Sequence, residues 1–452
     1  MDKFAQTNDT NDRRWACPGF YRMPKTGDGR ICRIKLPLGC VTPQQLRAIA
    51  KGSKQYGNNI IELTNRANIQ IRGVFDDHQL LLSQLLRNAG LGSPTQLADD
   101  IRNVMINPTA GFDKSTLIDT VKLGDELLNI LQKNENYTSI LSPKFSFFID
   151  GGEDTAYLHH AHDIWLSAIN EYEFAFGFAS SPSFYERNMA LGIIKAEDAL
   201  LFIKASLDLF LEFHKQDKLL NRFKHLFAKI ERTYFVDRLI QKGIKIMSAS
   251  HFICRTTQPE LQLGKHKQVQ SGYYFLNILP PLGRLTPKLI DELANIVENI
   301  SRSEFIHITP WRGIVIPYCT EEQATTALKE LSLLNFVISA DNPYAKIISC
   351  AGAPLCQSSL SNVQRDAALI ANILKNEMST PIHLTGCAKS CATTNTYPIT
   401  LLSKADGQYD LYKDNKVNKN FETGRAKLGQ LLAEDITIQQ AVLILKQNEN
   451  DG

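Results

Sequence analysis

The sequence lacks three features that mark large classes of protein. No stretch approaches the roughly 18 consecutive apolar residues of a membrane span, and the formal net charge is only +3 over 452 residues. Residues 1–14 are polar and of mixed charge, without the apolar core of a secretory signal. These absences argue against a membrane partner, against export and against the basic surface of a nucleic-acid-binding protein. We therefore expect a cytoplasmic protein.

Two nucleotide-binding motifs are also absent. The sequence contains neither a G-x-G-x-x-G after a predicted strand nor a P-loop. A Rossmann-type dinucleotide site within the chain is therefore not expected. If the protein carries out redox chemistry, we expect its electrons to arrive from a partner.

The chain contains one internal repeat. At a shift of 244 residues, Ile34, Pro37, Gly39, Thr42 and Pro43 match Ile278, Pro281, Gly283, Thr286 and Pro287. Each copy predicts a strand, a turn ending in Thr-Pro, a helix and a second strand, because Thr is a good N-cap and Pro fits the first helical position. A unit used twice predicts a pseudo-twofold α/β architecture with a central cleft. We expect repeated units at residues 1–80 and 251–325 and larger α/β domains at 81–250 and 326–452.

Four of the nine cysteines form two tight pairs, in the loops ISCAGAPLCQSS and TGCAKSCATT. They are Cys350 and Cys356, spaced C-x5-C, and Cys387 and Cys391, spaced C-x3-C. Small residues in such loops let the backbone wrap a cluster and point N–H groups at its sulfurs, so the pattern predicts an iron–sulfur cluster. Structural zinc is the competing metal, although its sites favour C-x2-C to C-x4-C spacing. The remaining cysteines are predicted core residues, with Cys17 as one that could lie near the site.

Polar residues alternate with isoleucines in the segment ELTNRANIQIRGV, which predicts a strand with Arg66, Asn68, Gln70 and Arg72 on one face. That face is either solvated, which the pattern alone favours, or lines a polar cavity. Arg102 and Lys144 are expected at the positions in the first half that the two cysteine loops occupy in the second. Such cations would suit a large polyanion held beside an electron source.

Two further segments have patterns that bear on a possible metal site and on a helix. The run YLHHAHDIWL places His159, His160 and His162 beside Asp163. These residues could bind iron or zinc, but their spacing matches no zincin, and we favour ordinary satisfied polar side chains. The segment NRFKHLFAKIERTYFVDRLIQKGI has helical periodicity and predicts a scaffold helix without chemistry.

Taken together, the repeat, TNRANIQIRG, RNV, KF and the cysteine pairs resemble the sulfite/nitrite reductase superfamily. Within it, RWACPGFYRMPKTGDG, KFSFFIDGG, ITPWRGIVIP, CAGAPLCQSS and HLTGCAKSCA are similar to the precorrin-3B synthase family. The resemblance implies two ferredoxin-like half-domains and two larger α/β domains around the cleft. It also implies a 4Fe-4S cluster on the four paired cysteines and tetrapyrrole contacts from Arg66, Asn68, Gln70, Arg72, Arg102 and Lys144.

The activity implied by this resemblance is hydroxylation of precorrin-3A by dioxygen, with closure of a γ-lactone. It would need NAD(P)H as external reductant, an electron-donor protein or reductase, and an oxygen-activating centre for which a further iron is one candidate. No motif marks that centre or the lactonisation base. Sulfite reductases carry a second lysine where this chain has Ser146, and a Gly-Cys pair where it has Met105 and Ile106. Both departures favour the cobalamin branch.

Two rival functions remain open. One is an assimilatory sulfite or nitrite reductase with sirohaem in the same cleft. The other is a non-enzymatic electron carrier or tetrapyrrole-binding protein.

Overall fold

The repeated units form two small α/β half-domains. The computed structural model describes residues 17–182, 190–250, 252–375, 378–393, 397–414 and 428–450. The first half-domain contains β1 (Lys25–Thr26), β2 (Gly29–Ile34), β3 (Cys40–Val41), α1 (Pro43–Tyr56), β4 (Ile61–Leu63), β5 (Ile69–Val74) and α2 (Gln79–Asn88). The first large domain contains α3 (Gln96–Asp100), β6 (Val104–Ile106), α4 (Val121–Lys133), α5 (Glu135–Ile140), β7 (Phe147–Asp150), β8 (His162–Asn170), β9 (Glu173–Ser180), β10 (Gly192–Lys195), α6 (Ala199–Gln216), α7 (Phe223–Leu226) and α8 (Arg232–Gln241).

The second half of the chain repeats this order. Its half-domain contains β11 (Gly264–Lys267), β12 (Tyr274–Ile278), β13 (Arg284–Leu285), α9 (Pro287–Ile300), β14 (Ile306–Ile308), β15 (Ile314–Cys319) and α10 (Glu321–Leu333). The second large domain contains β16 (Ile347–Ser349), α11 (Val363–Leu374), β17 (Ile382–Thr385), β18 (Ile399–Ala405), β19 (Gln408–Lys413), β20 (Gln430–Thr437) and α12 (Ile438–Asn450). No helix in the described ranges is long and apolar enough to cross a membrane.

The Thr-Pro signals mark helix starts in both copies. Thr42 forms a capping box with Gln45 at the start of α1, and the Thr286 side chain accepts from the Leu289 N–H at the start of α9. Because the cap satisfies N–H groups that a helix leaves without partners, this short motif fixes where each helix begins. The predicted strand-turn-helix-strand unit is therefore present twice.

The two half-domains exchange a strand. One sheet has the order β1-β2-β5-β4-β13 and the other β11-β12-β15-β14-β3, so β3 and β13 each pair in the sheet of the opposite half. Each exchanged strand follows a tight turn in which Leu38 or Leu282 has a positive φ, of 51° and 54°. The turn carries the chain across to the neighbouring sheet.

One apolar core serves both half-domains. Leu46 and Ile49 of α1 and Leu293 and Val297 of α9 all belong to it. The predicted boundaries at residues 80 and 325 fall inside α2 and α10, and the buried side chains of both helices belong to this core. The half-domains therefore extend to the ends of these two helices.

The large domains have matching sheets. In the orders β10-β9-β8-β7-β6 and β16-β17-β18-β19-β20, the first three strands along the chain are parallel and the last two antiparallel. The duplication therefore includes the large domains as well as the small ones. The fold is the expected duplicated α/β architecture.

Candidate functional site

The two cysteine loops leave the same edge of a sheet. Cys350 follows β16 directly, and Cys387 lies two residues beyond the end of β17. Because β16 and β17 are parallel neighbours, their carboxyl ends lie side by side. The Gly386 N–H donates to Cys350 Sγ at 3.3 Å, which joins the two loops.

The four thiols lie within electrostatic reach of one another. Burial, followed by the nearby thiols of Cys356 and Cys387, raises the pKa of Cys350. The pKa of Cys391 is raised by burial and by the other three thiols. None of the four forms a disulfide. The sequence prediction that these cysteines converge is thus consistent with the geometry.

The loops also provide the backbone that a cluster needs. Gly352 has φ +73°, a left-handed conformation, and a Cβ at Gly386 would collide with the Ser359 side chain. Four thiols with an N–H group directed at one sulfur fit a 4Fe-4S cluster, which would supply single electrons when bound. Within the described ranges, no three His, Cys, Asp or Glu side chains are grouped to bind a single metal ion, the histidine run included. The four-cysteine ligand set therefore stays a prediction.

A cleft lies beside these loops. Its lining includes Asn65, His160, Glu260, Arg312, Ser349 and Tyr397, which come from both halves of the chain. Ser349 precedes Cys350, the first of the paired cysteines, so the cleft and the cysteine loops share a wall. A ligand in the cleft would lie next to the predicted cluster.

Arg312 connects the two cysteine loops at this wall of the cleft. Its Nη1 donates to the Ser349 carbonyl at 2.7 Å and its Nη2 to the Ala392 carbonyl at 3.2 Å. Its Nε is buried and has no hydrogen-bond partner in the part of the chain described. Burial lowers the pKa of Arg312. The guanidinium thus holds both cysteine loops and adds positive charge to the cleft.

Arg66 adds a second guanidinium from the other half. Its Nη1 is buried without a hydrogen-bond partner among the described residues. Burial, and then the neighbouring Arg222, lower the pKa of Arg66 to about 10. Arg33 and Cys17 are also within electrostatic reach of Arg66. This group of cations has unused donor capacity, as an anion site requires.

Asp163 fixes the arginine that neighbours Arg66. The Arg222 Nε donates to both Asp163 carboxylate oxygens, at 2.8 and 2.7 Å. The Ser146 N–H also donates to Asp163, at 3.0 Å. His160 and His162 lie beside these arginines, and burial lowers the pKa of both imidazoles. The histidines are therefore neutral groups in a cationic surrounding.

The alternating polar residues do not form a solvated strand face. Arg66 and Asn68 precede β5, and only Gln70 and Arg72 lie in it. Asn68 accepts from the Leu36 N–H at 2.8 Å, and Gln70 bonds to Glu62 and Arg33. The pattern misled because the chain turns before the strand begins.

Arg72 has a structural set of contacts. It pairs with Asp28 at 2.8 Å and with Glu62 at 3.3 Å, and donates to the Leu355 carbonyl at 2.8 Å. Leu355 directly precedes Cys356. Arg72 therefore anchors a cysteine loop, whereas Arg66 retains donors for a ligand.

Arg102 and Lys144 do not occupy the positions of the cysteine loops. They precede β6 and β7, whereas the loops follow the corresponding strands β16 and β17. Arg102 is buried near Asp99, with Nε and Nη1 lacking hydrogen-bond partners in the described ranges, and Lys144 is exposed. Lys35 donates to the Asp100 carbonyl at 2.5 Å and to that of Pro143 at 3.4 Å, which brings the two segments together.

A polar network occupies the positions in the first half that correspond to the cysteine loops of the second half. Asn107 follows β6 and donates to Asp150 at 2.7 Å and to Glu153. Arg255 pairs with Asp150. The corresponding position in the first half is thus filled by carboxylates and their partners.

The family matches agree with this duplicated architecture. Residues 23–89 and 266–334 match the Nitrite/Sulfite reductase ferredoxin-like half domain, and residues 97–242 match the Nitrite and sulphite reductase 4Fe-4S domain. The chain carries the domains of the nitrite and sulfite reductase superfamily. The segment that matches the 4Fe-4S domain is the first large domain, which does not contain the four paired cysteines.

Several members of this superfamily are similar over most of their length. Ferredoxin–nitrite reductase of Synechococcus elongatus is 26% identical, with 92% of this chain and 86% of that protein covered. Precorrin-3B synthase of Sinorhizobium sp. is 23% identical, with coverage of 94% and 90%. Mycobacterium tuberculosis NirA has the same fold, with a TM-score of 0.75 at 15% identity, and the match covers 94% of this chain and 80% of NirA.

Sequence reasoning missed two arginines near the site. Arg33 precedes the repeat motif and lies near Cys391, and Arg222 belongs to the segment predicted as a scaffold helix. That segment forms two short helices, α7 and α8, and Arg222 precedes the first. Helical periodicity gives no signal for a residue at a helix end. Cys17 does lie near the site, beside Arg33 and Arg66.

Proposed function

We propose that this chain is a redox enzyme that binds a polycarboxylate tetrapyrrole in the cleft beside a 4Fe-4S cluster on Cys350, Cys356, Cys387 and Cys391. The observation that carries the proposal is the meeting of unused guanidinium donors with the cysteine loops. Arg312 lines the cleft, and Arg66, from the other half of the chain, lies within electrostatic reach of His160 in the cleft lining. Carboxylates are the natural partners of such donors.

For the reaction, we propose hydroxylation of precorrin-3A by dioxygen with closure of a γ-lactone, as in precorrin-3B synthase. Ser146 supports this choice, because it puts an uncharged, fully buried side chain beside Asp163 and Arg222. A site that drives electrons into a small oxyanion benefits from a cation at such a position. The similarity to a precorrin-3B synthase over 94% of the chain points the same way.

Nitrite reduction with sirohaem is the second candidate. It is favoured by ferredoxin–nitrite reductases from Synechococcus elongatus and from spinach, which are 26% and 25% identical. An electron-donor protein such as a ferredoxin suits this candidate. For the first reaction the reductant would be NAD(P)H acting through a reductase, and an additional iron would serve as the oxygen-activating centre. Either enzyme would work in the cytoplasm.

The pigment of the purified protein distinguishes the two reactions. Extraction with acidic acetone and a visible spectrum should reveal a cluster without sirohaem, and precorrin-3A with a reductant should consume dioxygen. The matched assay replaces precorrin-3A and dioxygen by nitrite under anaerobic conditions. Stoichiometric sirohaem together with nitrite turnover would establish the second candidate instead.

A further inference from the structure

A short turn, Pro259–Leu261, is clamped over the cleft. Asn277 on β12 donates from its Nδ2 to the carbonyls of Pro259 at 3.1 Å and Gln262 at 2.6 Å. The Trp311 Nε1 in turn donates to Asn277 Oδ1 at 3.3 Å. A side-chain amide that bonds both flanks of a turn fixes the direction in which the turn's own side chains point.

The clamped turn directs the Glu260 carboxyl group into the cleft. Its Oε2 is buried and has no hydrogen-bond partner in the described ranges. The titratable side chains that share the cleft lining are Tyr157, His160, Arg312, Tyr344 and Tyr397. Burial raises the pKa of Glu260 to about 7. Burial, Tyr157 and Glu260 raise the pKa of Tyr397, and Arg312 lowers it.

Glu153 is a buried carboxyl group whose hydrogen bonds serve a structural role. Its Oε2 accepts from Asn107 and, at 3.0 Å, from the Gly151 N–H, while its Oε1 has no partner in the described ranges. The Glu260 carboxyl group accepts from its own backbone N–H, and no other residue in the described part of the chain donates a hydrogen bond to it. A carboxyl group on a fixed turn, with one buried oxygen that no other residue satisfies, is suited to act on a ligand in the cleft.

We propose that Glu260 is a catalytic acid, whose carboxyl O–H delivers a proton to the oxygen atom that is reduced in the cleft. The proposal rests on the function proposed above. In that reaction one atom of dioxygen enters the substrate and the other leaves as water, with electrons from the external reductant. The Glu260 proton goes to the departing oxygen, and the carboxylate regains a proton from solvent. Nitrite reduction also forms water, so the same donor would serve the second candidate.

The test compares Glu260→Gln and Glu260→Asp with wild type, with Glu153→Gln as the matched buried control. Glu260→Gln should lower kcat by a factor of about 100 or more, since general acid catalysis contributes on that order. Tetrapyrrole binding, followed by absorbance, and iron content should stay within about twofold, because the turn and the cluster loops are unchanged. Glu260→Asp should keep an intermediate rate. In wild type, kcat should fall as the pH rises through about 7.

An infrared pH titration of the protein without substrate gives a second readout. The readout is measured in the Glu153→Gln background, because Glu153 also keeps its proton, up to about pH 8. The carbonyl band that Glu260 contributes should disappear as the pH rises through about 7 and should be missing when Glu260→Gln is added. A kcat and pH profile in Glu260→Gln equal to those of wild type would overturn the proposal, as would persistence of that band. If wild type turns over neither substrate, the proposed function fails, and the infrared result alone then decides whether Glu260 holds the proton.

Discussion

Arg66 and Arg72 are close in the sequence but have opposite surroundings. The three groups that Arg72 contacts are Asp28, Glu62 and the Leu355 carbonyl, whereas a buried donor of Arg66 has no partner in the described ranges. A buried guanidinium donor without a partner is costly unless a ligand satisfies it. At the scale of single residues, unused hydrogen-bond capacity separates a binding residue from a structural one.

Removing the Arg66 charge should therefore weaken ligand binding without unfolding the protein. We expect Arg66→Gln to lower tetrapyrrole affinity by about tenfold to a hundredfold, since a charge-assisted hydrogen bond contributes about 1.5 to 3 kcal/mol. Titration followed by absorbance measures the affinity, and thermal unfolding checks the fold. Arg47→Gln is the control, because Arg47 pairs with Glu298 at the surface. Affinity equal to wild type in Arg66→Gln would place the carboxylate site elsewhere.

The four paired cysteines should behave as one unit. Replacing Cys350, Cys356, Cys387 or Cys391 by serine should each reduce iron and acid-labile sulfide strongly, because a cluster that loses a thiolate is exposed to solvent and oxidation. Iron and sulfide analysis of the purified variants measures this. Cys254→Ser serves as the control. Among the described residues, the hydrogen-bond partner of the Cys254 thiol is the Arg255 carbonyl. Normal iron in any of the four variants would exclude that residue as a ligand.

Among the secondary-structure elements, β5 links the first half-domain to the cysteine loop through Arg72. Arg72→Met should lower the free energy of unfolding by about 3 kcal/mol, because it leaves the buried Asp28 carboxylate without its arginine and the Glu62 carboxylate with Arg284 as its remaining cation. Chemical denaturation measures this change. Arg30→Met removes a more exposed pair with Asp76 and should cost about 1 kcal/mol or less. Equal losses in the two variants would contradict the anchoring role of Arg72.

The sequence predicted the secondary-structure elements better than the long-range contacts between them. Thr42 and Thr286 cap α1 and α9 as expected, because capping depends only on residues a few positions apart. The exchange of β3 and β13 was not predicted, since two-residue strands have no periodicity and their pairing is long-range. Arg222 was missed for the same reason: its partner Asp163 lies 59 residues away. Local chemistry is readable from sequence, whereas convergence across the cleft is not.

For the whole molecule, strand exchange makes each half depend on the other. Residues 1–250 without the second half would lack β13, and residues 251–452 would lack β3 and half of the shared core. We expect each fragment alone to be insoluble or unfolded, because exposed sheet edges and apolar faces promote aggregation. Co-expression should restore a soluble complex, which size-exclusion chromatography would detect. Two fragments that fold separately would contradict a shared core.

Buried histidines and glutamates should give the whole protein its highest stability at an intermediate pH. Burial lowers the pKa of His160 to about 3 and of His307 to about 4, from an ordinary value of 6.5. The pKa of His162 is also lowered. Below pH 6.5 the unfolded chain therefore binds protons that the folded chain does not, and the free energy of unfolding falls as the pH falls.

Glu153 and Glu260 act in the opposite direction. Their pKa values rise from 4.5 to about 8 and about 7, because burial disfavours the carboxylates. Above pH 4.5 the folded chain keeps protons that the unfolded chain has released, so stability falls as the pH rises toward 8. The pKa values of His266 and His383 are lowered as well, so the histidines outnumber the two glutamates in acid. The glutamates reduce stability between about pH 6.5 and 8, which puts the highest Tm at about pH 6. Glu153→Gln should flatten the decline between pH 6.5 and 8 in thermal unfolding, and a wild-type Tm that rises across this range would contradict the assignment.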